Sequence, residues 1–249
     1  MLSPSIATDD VLPRAARLAC WFAAYAEGRA SLDDALTAIT GQDQAHAVVG
    51  LPGGDPVTPL VLALGRLRAL AGPHTALALP APGDPVGLAG PPEFTIEAVD
   101  AGAAVTLPGA GLGLVPRAVA GAVRWRVFSA NPPVPVDVAD ADRGLRGALR
   151  DTAARLAALD VARWRPEVAD ALMDLRRPRD LGLPPGTSAP ATALVGVATR
   201  CLHVVALALT DEGGAVSASE AAQRRDVMRP LDSAARRGLS AACSSSPAR

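Results

Sequence analysis

A repeated Gly-Asp-Pro motif is the first feature of the sequence that could bind a ligand. The segment LPGGDPV at residues 51–57 is echoed by LPAPGDPV at residues 79–86, and each copy follows a predicted strand. If these strands are parallel, both loops leave the sheet at the edge where α/β proteins place ligands. Asp55 precedes a helical pattern and can cap that helix, whereas the residues after Asp84 cannot form a regular helix. Asp84 is therefore the candidate ligand-binding carboxylate, with no predicted structural task; the alternative is a simple turn.

Two arginines lie on one face of a predicted strand. Residues 123–128 alternate large apolar side chains with Arg124 and Arg126. One face of such a strand is buried, and the other presents the two guanidinium groups. In the predicted sheet these groups lie near the Asp84 loop, where they are candidate contacts to a small molecule.

A polar stripe crosses the most apolar segment of the chain, residues 188–211. Arg200 and His203 belong to this stripe. A buried arginine needs a partner, and Glu167 and Asp170 on the preceding predicted helix are candidates. The stripe would then contact an anion or substrate inside a helical bundle; the alternative is a stripe that faces solvent.

Other motifs lack the spacing that their chemistry requires. Ser188 in the segment GTSAP misses the last glycine of a nucleophile elbow and fits a helix N-cap instead. The segment GAGLGL at residues 109–114 misses the third glycine of a dinucleotide fingerprint. The three histidines and three cysteines form no CxxC or HxxxH pair, and all 24 basic residues are arginine, so P-loop and Schiff-base lysines are absent. We therefore predict no catalytic residue, no metal and no cofactor, which favours a non-catalytic protein.

Charge and cysteine usage restrict the partners and the compartment. The formal net charge is -1, and aspartates offset the arginine clusters at residues 176–179, 224–225 and 236–237, so we predict no nucleic-acid binding. Three widely spaced cysteines argue against a disulfide framework, and residues 1–10 lack the basic region of a signal peptide; both favour the cytoplasm. Arg200 and His203 interrupt the apolar segment, which predicts no membrane span.

The elements that carry these residues predict an α+β fold. Residues 12–39 predict a helical hairpin. Residues 45–130 predict a small mixed sheet with a βαβ unit, made of a strand at 47–51, a helix at 60–70 and a parallel strand at 74–79. Further strands are predicted at residues 94–99 and 103–107. Beyond them a helical layer surrounds the apolar central helix at 188–211. The predicted domains are residues 1–135 and 136–243, followed by a disordered tail at 244–249.

Two functions are compatible with these patterns. The first is a non-catalytic cytoplasmic protein that binds a protein partner or assembles with itself, and it rests on the missing catalytic motifs. The second is a small-molecule-binding protein or an enzyme that uses the Asp84 loop together with Arg124 and Arg126. A deep pocket beside Asp84 would favour the second function, whereas a flat apolar patch elsewhere would favour the first.

Overall fold

The computed structural model describes residues 12–158, 180–210 and 218–245. These residues form seven α-helices and one six-stranded mixed sheet, so the predicted α+β class is confirmed. In chain order the elements are α1 (Arg14–Ala26), α2 (Leu32–Thr40), β1 (His46–Val49), β2 (Val57–Pro59), α3 (Leu60–Ala71), β3 (Ala76–Ala78), α4 (Pro92–Ala101), β4 (Ala104–Leu107), β5 (Leu112–Val119), β6 (Ala122–Ser129), α5 (Val138–Ala158), α6 (Ala189–Thr210) and α7 (Ala218–Ala242).

The N-terminal hairpin forms as its capping residues predict. The Ser31 side chain accepts a hydrogen bond from the backbone N–H of Asp34, which satisfies one of the free donors at the start of α2. Gly41 ends α2 with φ near +55°. The apolar face of α1, including the buried Phe22, packs onto the sheet and onto α2.

The strand order is β2-β1-β6-β5-β4-β3, which corrects the predicted βαβ unit. β1 pairs in parallel with β6, and β6, β5, β4 and β3 then pair antiparallel in succession. β1 and β3 therefore run in opposite directions and are separated by three strands. The two Gly-Asp-Pro loops leave the sheet at opposite ends, so the prediction that they share one edge was wrong. Asp55 does not cap α3 either, because β2 lies between them.

Residues 94–99 were predicted as a strand and form helix α4 instead. Pro92 is pre-organised for the first helical turn, and Gly102 ends the helix in the left-handed conformation. Phe94 and Ala98 lie one turn apart and are both fully buried. The β-branched residues that suggested a strand include Ile96, which faces solvent.

The two faces of the sheet carry cores of different size. Leu77 and Val105 belong to the large core, which also contains the buried faces of α1, α2, α3 and the C-terminal helices. Their neighbours Ala78 and Ala104 point to the opposite face and pack with Phe94 of α4. The alternation of the strands thus places most helices on one face and α4 on the other.

The C-terminal layer consists of α5, α6 and α7, which pack on one another. Gly238 of α7 lies where the three helices meet, because a methyl group there would touch Leu194 of α6 and Leu145 of α5. The central helix α6 confirms the predicted helix at 188–211. One side of it is buried, including Val195 and Val205, whereas Ala193 and Arg200 are exposed on the opposite side.

Helix α6 is also long and apolar enough to cross a membrane, by length and composition alone. The core helix of a soluble protein passes the same test. Because α6 packs against α5 and α7 and buries one side in the large core, its composition is weak evidence for a span.

The segment after α7 differs from the predicted disordered tail. Ser244 and Ser245 are hydrogen-bonded to the outer edge of β3 and to the loop before it. The backbone N–H of Leu77 donates to Ser244 Oγ at 3.0 Å, and that of Thr75 donates to Ser245 Oγ at 2.9 Å. Residues 246–249 lie outside the described part of the chain.

Candidate functional site

Asp84 lies in the loop after β3 and is held by three side chains of α7. Its Oδ2 accepts hydrogen bonds from Ser233 Oγ at 2.6 Å and from Arg236 Nη2 at 2.8 Å. Its Oδ1 accepts one from Arg237 Nη2 at 3.3 Å. Burial alone would raise the pKa of Asp84, but the bonds from Ser233 and Arg236 and the two arginine charges lower it below its ordinary value.

This arrangement gives Asp84 a structural task that the sequence did not predict. Arg236 also donates to the carbonyl of Leu79 and to Asp232, so it joins both ends of the loop region to α7. The Asp84 loop therefore connects the β3 edge of the sheet to helix α7 through these hydrogen bonds. Ligand binding at Asp84 stays a prediction.

Replacing Asp84 by alanine is expected to destabilise the fold by about 1.5–3 kcal/mol, because hydrogen bonds to a charged group are lost and the partly buried Arg236 loses one of its two carboxylate partners. The matched control is Asp55→Ala in the other Gly-Asp-Pro loop, where the side chain is exposed and a change below about 0.5 kcal/mol is expected. Urea unfolding of the two variants measures both values. An equal loss of unfolding free energy in the two variants would contradict this structural role of Asp84.

Arg124 and Arg126 lie on β6, on the face of the sheet that carries α4. Arg126 pairs with Glu97 of α4 at 2.9 Å and stacks on Phe128, while Arg117 of β5 pairs with the other oxygen of Glu97. Arg124 is exposed directly across from Arg117. β4 and β5 separate these arginines from β3, so the structure does not bring them together with Asp84.

Arg200 and His203 lie on α6, one exposed and the other half-buried. His203 Nδ1 lies 2.8 Å from the carbonyl oxygen of Thr199, one turn earlier on the same helix. Glu167 and Asp170, the predicted partners of the stripe, lie outside the described residues. The exposure of Arg200 agrees with the alternative of a stripe that faces solvent.

A buried polar cluster that the sequence analysis did not single out connects α1 to the sheet. Asp43 accepts two hydrogen bonds from Arg14, at 2.7 and 2.5 Å, and a longer one from Arg17 at 3.4 Å. His46 Nε2 lies 3.0 Å from the same carboxylate, and Trp125 Nε1 donates to His46 Nδ1 at 3.3 Å. Because an indole N–H can only donate, His46 must carry its proton on Nε2 and donate it to Asp43.

The burial of His46 decides what this cluster can do. Its side chain has no exposed surface, so a substrate does not reach the ring. Burial lowers the pKa of His46 despite its bond to Asp43, which keeps the imidazole neutral. The cluster therefore holds α1, β1 and β6 together rather than transferring protons. Its members come from three distant stretches of the sequence, residues 14–17, 43–46 and 125, so no local pattern could reveal it.

The outer side of α3 presents an unusual apolar surface. Leu62 is 58% exposed and Leu70 is 47% exposed, and Val61 is exposed beside them. The α3 face, as we call it, consists of Val61, Leu62, Gly65, Ala69 and Leu70 on the exposed half of the helix, while the opposite half is buried.

The same exposed half of α3 carries two arginines, and Arg66 lies one turn from both Leu62 and Leu70. Both guanidinium groups contact neighbouring segments. Arg66 donates to the carbonyl of Gly53 at 2.9 Å, and the Arg68 guanidinium lies over the Tyr25 ring at 4.9 Å. Gly65 has open space above it, with no atom within 4 Å of the position a methyl group would take. Because both guanidinium groups are engaged, the line of Val61, Gly65 and Ala69 between the two arginines leaves a small apolar surface on which a second helix can pack closely.

Comparison with known proteins places this architecture in a family. Residues 15–140 match the model described as Rv1486c-like protein, N-terminal domain, and residues 139–240 match the model for the C-terminal domain. The chain belongs to the Rv1486c-like family.

Two relatives in this family come from Mycobacterium tuberculosis. The chain is 31% identical to "Uncharacterized protein Rv1486c" of strain ATCC 25618 / H37Rv over 273 residues, which covers 88% of this chain and 92% of the relative. It is equally similar to "Uncharacterized protein MT1533" of strain CDC 1551 / Oshkosh, with the same coverage. No solved structure matches the chain. Membership of the Rv1486c-like family therefore extends over both the sheet and the C-terminal helices.

Proposed function

We propose that this Rv1486c-like chain is a non-catalytic cytoplasmic protein that assembles with a second copy of itself through the α3 face. The observation that carries the proposal is the exposed apolar surface of α3, whose two arginines are engaged by Gly53 and Tyr25 of the same chain. Contiguous exposed apolar surface marks interaction sites in soluble proteins. The five residues of the α3 face are uncharged, so a second α3 face can pack on the first across a two-fold axis.

Gly65 supports a helix-to-helix contact in particular. It lies between Val61 and Ala69 on the same line of the helix, so two α3 helices could cross at this point with their backbones close together. Leu62 and Leu70 would then cover the contact from the side. Burying these exposed side chains supplies the favourable free energy of association, at about 25 cal/mol per Å² of apolar surface.

The non-catalytic part of the proposal is supported by how the acidic groups are used. Asp43, Asp84 and Glu97 each have a lowered pKa and each is engaged by arginines of the same chain. These carboxylates therefore stabilise the fold and stay ionised, which does not suit a general acid. The alternative function, a small molecule bound at the Asp84 loop, would have to displace the contacts of Ser233, Arg236 and Arg237.

The test is the oligomeric state of three proteins, measured by sedimentation velocity and native mass spectrometry. The wild type is expected to form dimers, and Leu62→Arg to weaken association at least tenfold, because it places two like charges in an apolar contact. Ile96→Arg is the matched control: Ile96 is 61% exposed, but it lies on α4. A monomeric wild type at micromolar concentrations, or equal dissociation of both variants, would overturn the proposal.

A further inference from the structure

Two of the three cysteines lie together although they are far apart in sequence. Cys20 is in the middle of α1, and Cys243 follows directly after the last residue of α7. The Cys20 Sγ lies 3.9 Å from the carbonyl oxygen of Cys243. A hydrogen bond between the two thiols, together with burial, raises the pKa of Cys243 well above its ordinary value.

The backbone on both sides of this pair is held in place. Thr75 Oγ1 donates to the carbonyl of Ala19, the residue before Cys20, at 3.1 Å. Thr75 also exchanges hydrogen bonds with Ser245, two residues after Cys243, at 2.9 Å in each direction. A single residue before β3 therefore bonds to the chain within two residues of each cysteine. The closeness of the thiols follows from the packing of three segments and does not depend on a flexible loop.

The two thiols differ in their access to solvent. Cys243 is buried at 3% exposure, whereas Cys20 is partly exposed. A small oxidant in solution thus reaches Cys20 first and finds Cys243 behind it. This is the arrangement of an attacked thiol beside a resolving thiol.

We propose that Cys20 and Cys243 form a modification site at which a hydroperoxide produces a reversible disulfide. In the first step the Cys20 sulfur attacks the peroxide oxygen, which gives a Cys20 sulfenic acid and releases the alcohol, or water from hydrogen peroxide. In the second step the Cys243 thiol attacks the sulfenic sulfur and releases water. The two thiols lose two electrons and two protons in total, and the peroxide bond takes them up. A low-molecular-weight thiol reverses the reaction by thiol–disulfide exchange.

The bond would join positions that are 223 residues apart in sequence. A cross-link that closes so long a loop strongly restricts the unfolded chain. The oxidised protein is therefore expected to melt about 5–15 °C above the reduced protein.

The test treats the purified full-length protein with a small excess of hydrogen peroxide and measures intact mass, tryptic peptides and melting temperature. The expected result is a mass loss of two hydrogen atoms that dithiothreitol restores, with peptides 18–29 and 238–249 joined. Cys201→Ser is the matched control, since Cys201 is a buried cysteine of α6 that is not part of the pair, and it should oxidise like the wild type. Cys20→Ser should lose the cross-link and the rise in melting temperature.

Three results would overturn the proposal. The first is a stable sulfenic or sulfinic acid at Cys20 without a cross-link. The second is a disulfide that includes Cys201. The third is a protein whose thiols do not react with peroxide while it is folded, although they react after denaturation.

Discussion

Replacing Asp43 by asparagine is expected to cost about 3–5 kcal/mol of folding free energy, as breaking a buried ion pair does. The Asp43 side chain is only 8% exposed and accepts from Arg14, Arg17 and His46. Asparagine keeps the shape but removes the counter-charge of two guanidinium groups, and its amide presents a donor where these partners need an acceptor. Urea unfolding followed by circular dichroism measures the loss.

The matched control is Asp226→Asn in α7. Asp226 pairs with Arg229 at 2.7 Å, but its side chain is largely exposed, so the expected change is below about 1 kcal/mol. If both variants lost the same small amount, the cluster around Asp43 would not hold α1 to the sheet.

The same carboxylate predicts how stability depends on acid. Burial raises the pKa of Asp43, but the bonds and charges of Arg14 and His46 outweigh it and lower the pKa from 3.8 to about 2. A group whose pKa is lower in the folded state stabilises the fold above the pKa of the unfolded chain. This contribution is lost as the pH falls through the folded value. The stability difference between wild type and Asp43→Asn should therefore narrow as the pH is lowered from about 4 to about 2.

Acid also reduces the contribution of His46 to stability, at a higher pH than for Asp43. Burial is the largest cause that lowers its pKa from 6.5, so the unfolded chain takes up the proton first. The contribution of neutral His46 to the free energy of unfolding is present above pH 6.5 and declines below that pH. A stability that stays constant between neutral pH and pH 5 would contradict this role.

Replacing Val205 by aspartate is expected to abolish cooperative folding. Val205 lies on the buried side of α6 at 3% exposure, among the side chains that α5 and α7 pack against. An unpaired carboxylate in this position costs several kcal/mol, a large fraction of the stability of a typical domain. The expected readout is an insoluble protein or a melting curve without a transition. Ala193→Asp, on the exposed side of the same helix, should melt close to the wild type.

The local elements of this fold could be predicted from sequence because their signals are local. Ser31 and Asp34 lie within one turn and define the start of α2 by themselves. The apolar density of residues 188–211 likewise defines α6. The same reasoning failed at α4, where β-branched residues suggested a strand. There the helix is decided by Pro92, by Gly102 and by the burial of Phe94 against the sheet.

The order of the strands could not be predicted in the same way. β1 and β3 flank α3 in sequence, which favours a parallel pair, but β1 pairs instead with β6, about 75 residues later. Nothing near residues 46–49 specifies that partner. The candidate sites depend on the same distant pairings: Asp84 meets Ser233 and Arg236 only because α7 returns to the β3 edge. For Asp43, each partner alone looked like an ordinary surface or core residue.

The bonds from Ser244 and Ser245 to β3 have a consequence for synthesis of the chain on the ribosome. The residues that satisfy the N–H groups of Thr75 and Leu77 are made about 170 positions after them. Until then the outer edge of β3 has open donors, and an open sheet edge pairs readily with other strands. The β3 edge is therefore completed late in translation. Before Ser244 and Ser245 are made, a strand of a neighbouring nascent chain can bind to the open N–H groups of β3.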